Sequence, residues 1–290
     1  MDLGAFGVWT SAFEFQPASE LRESVQELEA LGWRTVWVPE SRGREALTHA
    51  GFLLASTKTM HVINGIAQIW AREAKWTYGA SVLLADAYPN RHVLGLGFGG
   101  SRPGVNNPLT SMVEYLDQLD AMETPNPVPS APMRRLLAAY GPKMLELARV
   151  RSDGAHTYHV NLAHTVQSRE ILGAAFLGVE HPIIIETDPE KARAIARDHL
   201  HRFFDQRYNI AKFRRLGYSE DDMRNGGSNR IVDDLVFWGD LESVVEKLRG
   251  HLGAGADHVA IQVLGIRPGE SAMPQWRELA TALLPYQHER

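Results

Sequence analysis

Cysteine is absent from the 290 residues of this chain. No disulfide, thiolate nucleophile or cysteine-ligated metal centre is therefore available to it. Long apolar runs are missing too, and none approaches the roughly 20 residues that cross a bilayer as a helix. Positive charge is in deficit, with 30 Lys and Arg against 35 Asp and Glu. A nucleic-acid binder would want a clustered basic face, which nothing in that balance suggests. The opening Met1-Asp2-Leu3-Gly4 has neither the basic nor the apolar stretch of a secretory signal. The expectation is a cytoplasmic protein with no membrane and no nucleic-acid partner.

Hydrophobic residues make up 44% of the chain and charged residues 22%, so a sizeable core is available. The length exceeds one ordinary domain, but (β/α)₈ barrels of about 250 residues or more fold as one unit. Residues 3–9 form a short apolar segment. Leu21, Val25 and Leu28 then recur at helical spacing after Pro17-Ala18-Ser19, and Gly32 ends the run. Thr35-Val36-Trp37-Val38-Pro39 is β-rich. Helix, glycine turn and apolar strand return through Asp153-Gly154 and through Gly255-Ala256-Asp257. Further strands are expected at residues 61–67, 93–98, 135–140, 155–160, 182–187 and 258–264. Asp188-Pro189 and Asp240 offer helix starts. Eight strands alternating with helices predict an α/β fold of the TIM-barrel type, with an open doubly wound sheet as the alternative. Residues 102–132 and 199–238 are expected as insertions after strand 4 and before strand 8, within one domain spanning 1–290. The second holds the turn Asn225-Gly226-Gly227-Ser228 and is expected to contain two or three short helices.

The run Gly95-Leu96-Gly97-Phe98-Gly99-Gly100 has dinucleotide-motif spacing, but residues 101–108 cannot start the helix that motif needs. Glycines at a strand end let a flat ring approach the backbone; the alternative is tight packing inside the sheet. Twelve histidines invite a metal reading, but His156 and His159 on a strand, and His199 and His201 on a helix, are not spaced to converge. No catalytic metal is expected, and most of the histidines read as surface or structural. Glu40 stands at the end of strand 2, where barrel chemistry lies. It is a candidate acid or base, or an ion-pair partner of Arg42 or Arg44. His49 and His164 are further candidates near strand-end loops.

Taken together, Gly7-Val8-Trp9, Trp37-Val38-Pro39-Glu40, Gly65-Ile66-Ala67-Gln68-Ile69-Trp70-Ala71-Arg72, and Tyr88-Pro89-Asn90-Arg91 before Leu94-Gly95-Leu96-Gly97 resemble the luciferase-like superfamily. The resemblance is closest to its coenzyme F420-dependent oxidoreductases and extends to Gly253-Ala254-Gly255-Ala256-Asp257-His258-Val259. It implies a non-prolyl cis peptide at Gly65–Ile66 under the cofactor ring. Gln68 stands where the family has an asparagine-like residue, and Phe98-Gly99 where it commonly has Thr-Gly. The implied cofactor-binding set is Gly65, Ile66, Gln68, Phe98, Gly99, Gly141 and Asn161, with Glu40, His49 and Gln68 as catalytic candidates. The loops Gly141-Pro142-Lys143 and Asn161-Leu162-Ala163-His164 resemble those near the cofactor's phosphate-bearing tail, and Arg72 and Arg102 are candidates for its acidic end. Pro142 reads rather as an ordinary first helical residue. The implied activity is hydride transfer between F420 and a small organic substrate. FMN-dependent monooxygenation and a non-catalytic ring-binding barrel are the alternatives, and a homodimer is carried from the resemblance.

Overall fold

Strands that are buried on both faces need apolar residues at every position, and only a sheet covered by helices offers that environment. The computed structural model describes residues 2–41, 43–100, 107–123, 125–266 and 270–285. Eight such strands are β1 (Phe6–Trp9), β2 (Thr35–Val38), β3 (His61–Asn64), β4 (His92–Gly97), β5 (Arg134–Ala138), β6 (Gly154–Thr157), β7 (Phe176–Ile185) and β8 (His258–Val263). All neighbours are parallel, and β8 pairs with both β7 and β1, which closes the barrel. Strand 7 starts six residues before its expected start at 182. Residues 176–179 pair β6, residues 178–183 pair β8, and its last three residues pair a short strand, Phe237–Gly239.

The helices follow from the same patterns. In α1 (Ala18–Ala30) the buried residues are Leu21, Val25 and Leu28, each contributing about 1.5–3 kcal/mol by burial. Gly32 follows with φ +96°, a conformation that glycine adopts without strain. Next come α2 (Ala46–Ser56), α3 (Ala74–Ala87), α4 (Pro108–Asp120), α5 (Pro142–Arg151) and α6 (Leu162–Leu172). The chain continues through α7 (Pro189–Phe204), α8 (Arg207–Arg215), α9 (Glu220–Met223), α10 (Asn229–Leu235), α11 (Leu241–Gly253) and α12 (Met273–Leu283). Asp188 accepts from the Glu190 and Lys191 amides to start α7, and Asp240 accepts from Ser243 to start α11.

Two boundaries differ from expectation. Within the expected insertion at 102–132, α4 buries Met112, Tyr115, Leu116 and Leu119 in the main core as the barrel's fourth helix. A 3.6-residue period alone does not say whether a helix belongs to the ring or to an insertion. The second insertion begins with α7 rather than at 199, and does contain short helices. Its own apolar cluster joins Ala192, Ala196, Leu200 and Phe204 of α7 to Phe213, Tyr218, Ile231 and Leu235. Asn225, Gly226 and Gly227 all have positive φ in the expected turn.

Inside the barrel Trp37 stacks on His156, ring centroids 4.4 Å apart. It donates Nε1–H to His258 Nε2 at 2.9 Å, while His258 Nδ1–H donates to the Gly4 carbonyl at 2.7 Å. A Cβ at Gly7 would lie 2.7 Å from the His258 ring, so this layer needs glycine there.

Candidate active site

The carboxyl ends of the strands form one face, and β2, β3 and β4 deliver one group of expected residues to it. The Gly65–Ile66 bond is cis. Gly65 donates to the Val38 carbonyl at 2.8 Å and Glu40 donates to the Ile66 carbonyl at 3.1 Å. Ala67 and Gln68 then pair with β4 at Leu96 and Gly97. Gln68 donates its backbone N–H to Glu40 Oε2 at 2.8 Å, and its amide nitrogen donates to the Glu40 carbonyl. Phe98 accepts from Trp70 Nε1 at 2.7 Å. The structure thus brings Glu40, Gly65, Ile66, Gln68, Phe98 and Gly99 together. Beside them lies a cleft of about 270 Å³, lined by Glu40, Ser41, Gly43, Arg44, Glu45, Gln68, Trp70 and Ala71.

Glu40 is an ion-pair residue in this arrangement. Its partner is Arg72, 32 residues away, which also meets Glu45 at 3.0 Å. Arg44 points elsewhere and donates to the Glu14 and Gln16 carbonyls. Arg42 and Arg102 lie outside the described residues. Arg72, held between two carboxylates with its side chain only 10% exposed, is not presented to solvent for an acidic tail. The Ala46 amide at the start of α2 also donates to Glu40 Oε1, at 3.2 Å.

The glycines of strand 4 serve packing first. A Cβ on Gly95 would collide with the Asn64 carbonyl, and one on Gly97 with Ile66. Gly99, at φ +72°, leaves room for the Gln68 side chain, whose Oε1 would sit 2.5 Å from a Cβ there. Gly65 gives way to Trp9, whose Nε1 would be 2.8 Å from a Cβ. The dinucleotide reading fails, since the first described helix after Gly100 is α4, beginning at Pro108. Among the described residues, two buried polar atoms beside this edge have no hydrogen-bond partner, Trp9 Nε1 and Gln68 Oε1.

His49 is buried on α2 with neither ring nitrogen bonded. Burial, with Arg44 nearby, holds its pKa down at about 4. Gly141 and Asn161 do not join the Gln68 group. Gly141 begins α5 beside Arg215, and Pro142 is the first helical residue. Asn161 caps α6 by accepting from the His164 amide at 3.1 Å, and its Nδ2 donates to the Tyr218 phenol oxygen Oη at 3.2 Å. His164 bridges the Tyr140 carbonyl and Ser168.

The strand ends on the opposite side carry residues that sequence reasoning missed. His159, at φ +51°, meets His199 of α7, Nε2 to Nε2 at 2.8 Å. Glu180 is wholly buried, and burial pushes its carboxyl well above the usual range. Lys212 of α8 is 3% exposed, and burial brings its ammonium down to about 7. A lone carboxylate inside the apolar run of β7 was a legible signal for Glu180; nothing local marked Lys212. Of the histidines, expected as surface or structural, eight are buried: His49, His92, His156, His159, His164, His181, His251 and His258.

The architecture has many solved counterparts. An F420-dependent secondary alcohol dehydrogenase bound to an F420–acetone adduct superposes with a TM-score of 0.76 at 14% identity, over 98% of this chain and 99% of that one. The coenzyme F420-dependent tetrahydromethanopterin reductase of Methanopyrus kandleri gives 0.73 at 13%, over 98% and 99%. The oxygenating constituent of 3,6-diketocamphane monooxygenase from Pseudomonas putida, with FMN, gives 0.69 at 12%, over 98% of each chain. At such identities these likenesses establish the fold. No curated protein sequence matches the chain. Residues 1–258 match the luciferase-like monooxygenase family, and with the closed barrel and the strand-end group around Gln68 this chain belongs to that family.

Proposed function

We propose that this chain is an oxidoreductase that binds a deazaflavin ring at the edge formed by Gly65, Ile66 and Gln68, and that it passes a hydride between coenzyme F420 and a small organic substrate. The observation that carries the reading is the unpartnered pair Trp9 Nε1 and Gln68 Oε1, one donor and one acceptor, buried at the carboxyl ends of β1 and β3. The pyrimidine edge of a flavin or deazaflavin presents carbonyl acceptors and a ring N–H, which complement that pair. Bound there, the ring supplies the hydride chemistry. The protein's own residues position and shield. Glu40 fixes Gln68 through two hydrogen bonds, and Arg72 fixes Glu40. Trp9 walls the edge against the barrel interior.

The FMN-bound monooxygenase among the similar structures favours FMN as the second reading. Titrating the cofactor-free protein with F420 and with FMN, following quenching of ring fluorescence, separates the two. Tighter binding of F420, followed by reduction or oxidation of its ring with a small-molecule substrate, is the expected result. Tighter FMN binding with oxygen consumption would replace hydride transfer by monooxygenation. Binding without turnover of any substrate leaves a ring-binding barrel.

A further inference from the structure

A second set of buried polar groups occupies the same end of the barrel, across the Trp9 and Tyr158 rings from Gly65. Those rings lie 5.4 Å apart. β7 carries Glu180, whose Oε2 accepts the His159 N–H at 3.2 Å while Oε1 has no partner among the described residues. His159 bonds His199 through Nε2, and its Nδ1 has no partner among the described residues. Lys212 donates to the Tyr158 carbonyl at 3.2 Å, with Nζ 4.9 Å from the Tyr140 ring and 4.5 Å from the Phe213 ring. Among the described residues no carboxylate pairs with Lys212 within 4.0 Å. Leaving a buried polar group unsatisfied is destabilising. Here three groups from separate elements keep unused hydrogen-bonding capacity at the catalytic end of a barrel, which is where ligands bind.

We propose that this cluster binds the carboxylate of a small aromatic organic anion, with Lys212 as counter-charge and Glu180 as a neutral hydrogen-bond donor. Charge selects the ligand. Lys212 is the buried cation, and a wholly buried carboxyl keeps its proton and donates. One cation with one neutral acid suits a monoanion rather than a phosphate dianion. Tyr140, Tyr158 and Phe203 supply aromatic walls, and Phe203 packs on His159 at 4.6 Å. The groups that act on Lys212 are Glu180 of β7, His159 beyond β6 and His164 of α6, with the Tyr140 ring against it, while His199 and Arg202 of α7 act on His159. Burial keeps the three imidazoles below their usual range, and Arg202 lies on the exposed side. Lys212 is therefore the member whose charge changes near neutrality.

Calling the anion a substrate rests on the oxidoreductase reading; its binding does not. The test uses the whole cofactor-free protein, titrated by calorimetry with benzoate, its neutral analogue benzamide, and inorganic phosphate. Benzoate is expected to bind at least about tenfold more tightly than benzamide, a difference of about 1.4 kcal/mol, and more tightly than phosphate. Anion binding favours the ammonium, so benzoate affinity should fall as pH rises above about 7. Lys212→Met should abolish the preference, and Lys212→Arg should retain part of it. Should Lys212→Met fail to fold, the pH profile of the natural protein decides alone. Absence of benzoate binding up to roughly 10 mM, equal binding of benzamide, tighter phosphate, a flat pH profile, or an unchanged preference in a folded Lys212→Met protein each overturns the proposal. Anion binding without any F420 or FMN binding would defeat the proposed function and leave this site standing.

Discussion

Gln68 hangs from Glu40 by two hydrogen bonds, its backbone N–H on the carboxylate at 2.8 Å and its side-chain amide on the carbonyl. A residue at the end of one strand thereby sets the orientation of a polar side chain at the end of the next. The unpartnered Gln68 Oε1 is held in place by that linkage, and the linkage in turn depends on Arg72.

Glu40→Gln tests whether Glu40 positions or transfers a proton. The change keeps the shape and removes the charge that faces Arg72 in a site where both side chains are little exposed. The melting temperature should fall, because breaking a buried pair costs up to about 3–5 kcal/mol, while kcat stays within a few fold. A kcat loss of about 10²–10⁴-fold, the range of a lost general acid or base, would assign proton transfer to Glu40 instead. Paired denaturation and turnover measurements separate these results.

Trp9→Phe removes a buried N–H that has no partner. The protein should be no less stable apart from the smaller ring, since an unsatisfied donor is lost. Affinity for the deazaflavin or flavin should weaken roughly five- to tenfold, the equivalent of one net hydrogen bond. Unchanged affinity in the fluorescence titration removes Trp9 from the binding edge.

Gly95→Ala should destabilise the barrel without touching the cleft. The added methyl runs into the Asn64 carbonyl of β3, and such overpacking typically costs about 1–3 kcal/mol. Chemical denaturation measures it. A neutral result would mean that β3 and β4 separate more readily than their pairing implies.

Acid should unfold the protein through its buried imidazoles. Burial holds His92, His251 and His258 at about 4 and His156 at about 3, below the ordinary 6.5. Between those values the unfolded chain binds more protons than the folded one, so stability rises with pH. The contribution is complete above about 6.5 and is lost as pH falls toward about 4. His258 adds a specific break, because its Nε2 must stay unprotonated to accept from Trp37. Melting temperatures across this interval should drop steadily toward acid; a flat curve contradicts the assignment.

Local patterns were legible wherever the cause is local. The α1 stripe, the Asp188 and Asp240 caps, the positive-φ turn at Asn225 and the barrel strands other than the first half of strand 7 follow from spacing and turn chemistry over a few residues. The role of α4 was misread, because its apolar stripe is the same whether it covers the barrel or an insertion. Glycines 95, 97 and 99 were legible as necessary, but not what fills the space beside them.

The sequence by itself determined the repeating strand–helix alternation, the positions of most caps and turns, and the cluster of glycines and polar residues at the ends of strands 2 to 4. Only the closed barrel decided who meets whom. Arg72 rather than Arg44 faces Glu40, and His159 meets His199 across 40 residues. Lys212 of α8 donates to the Tyr158 carbonyl across 54 residues. Periodicity states which face of an element is apolar. It carries no information about which distant element covers that face, since that depends on closure of β8 onto β1 and on how the α7–α10 layer settles over the strand ends.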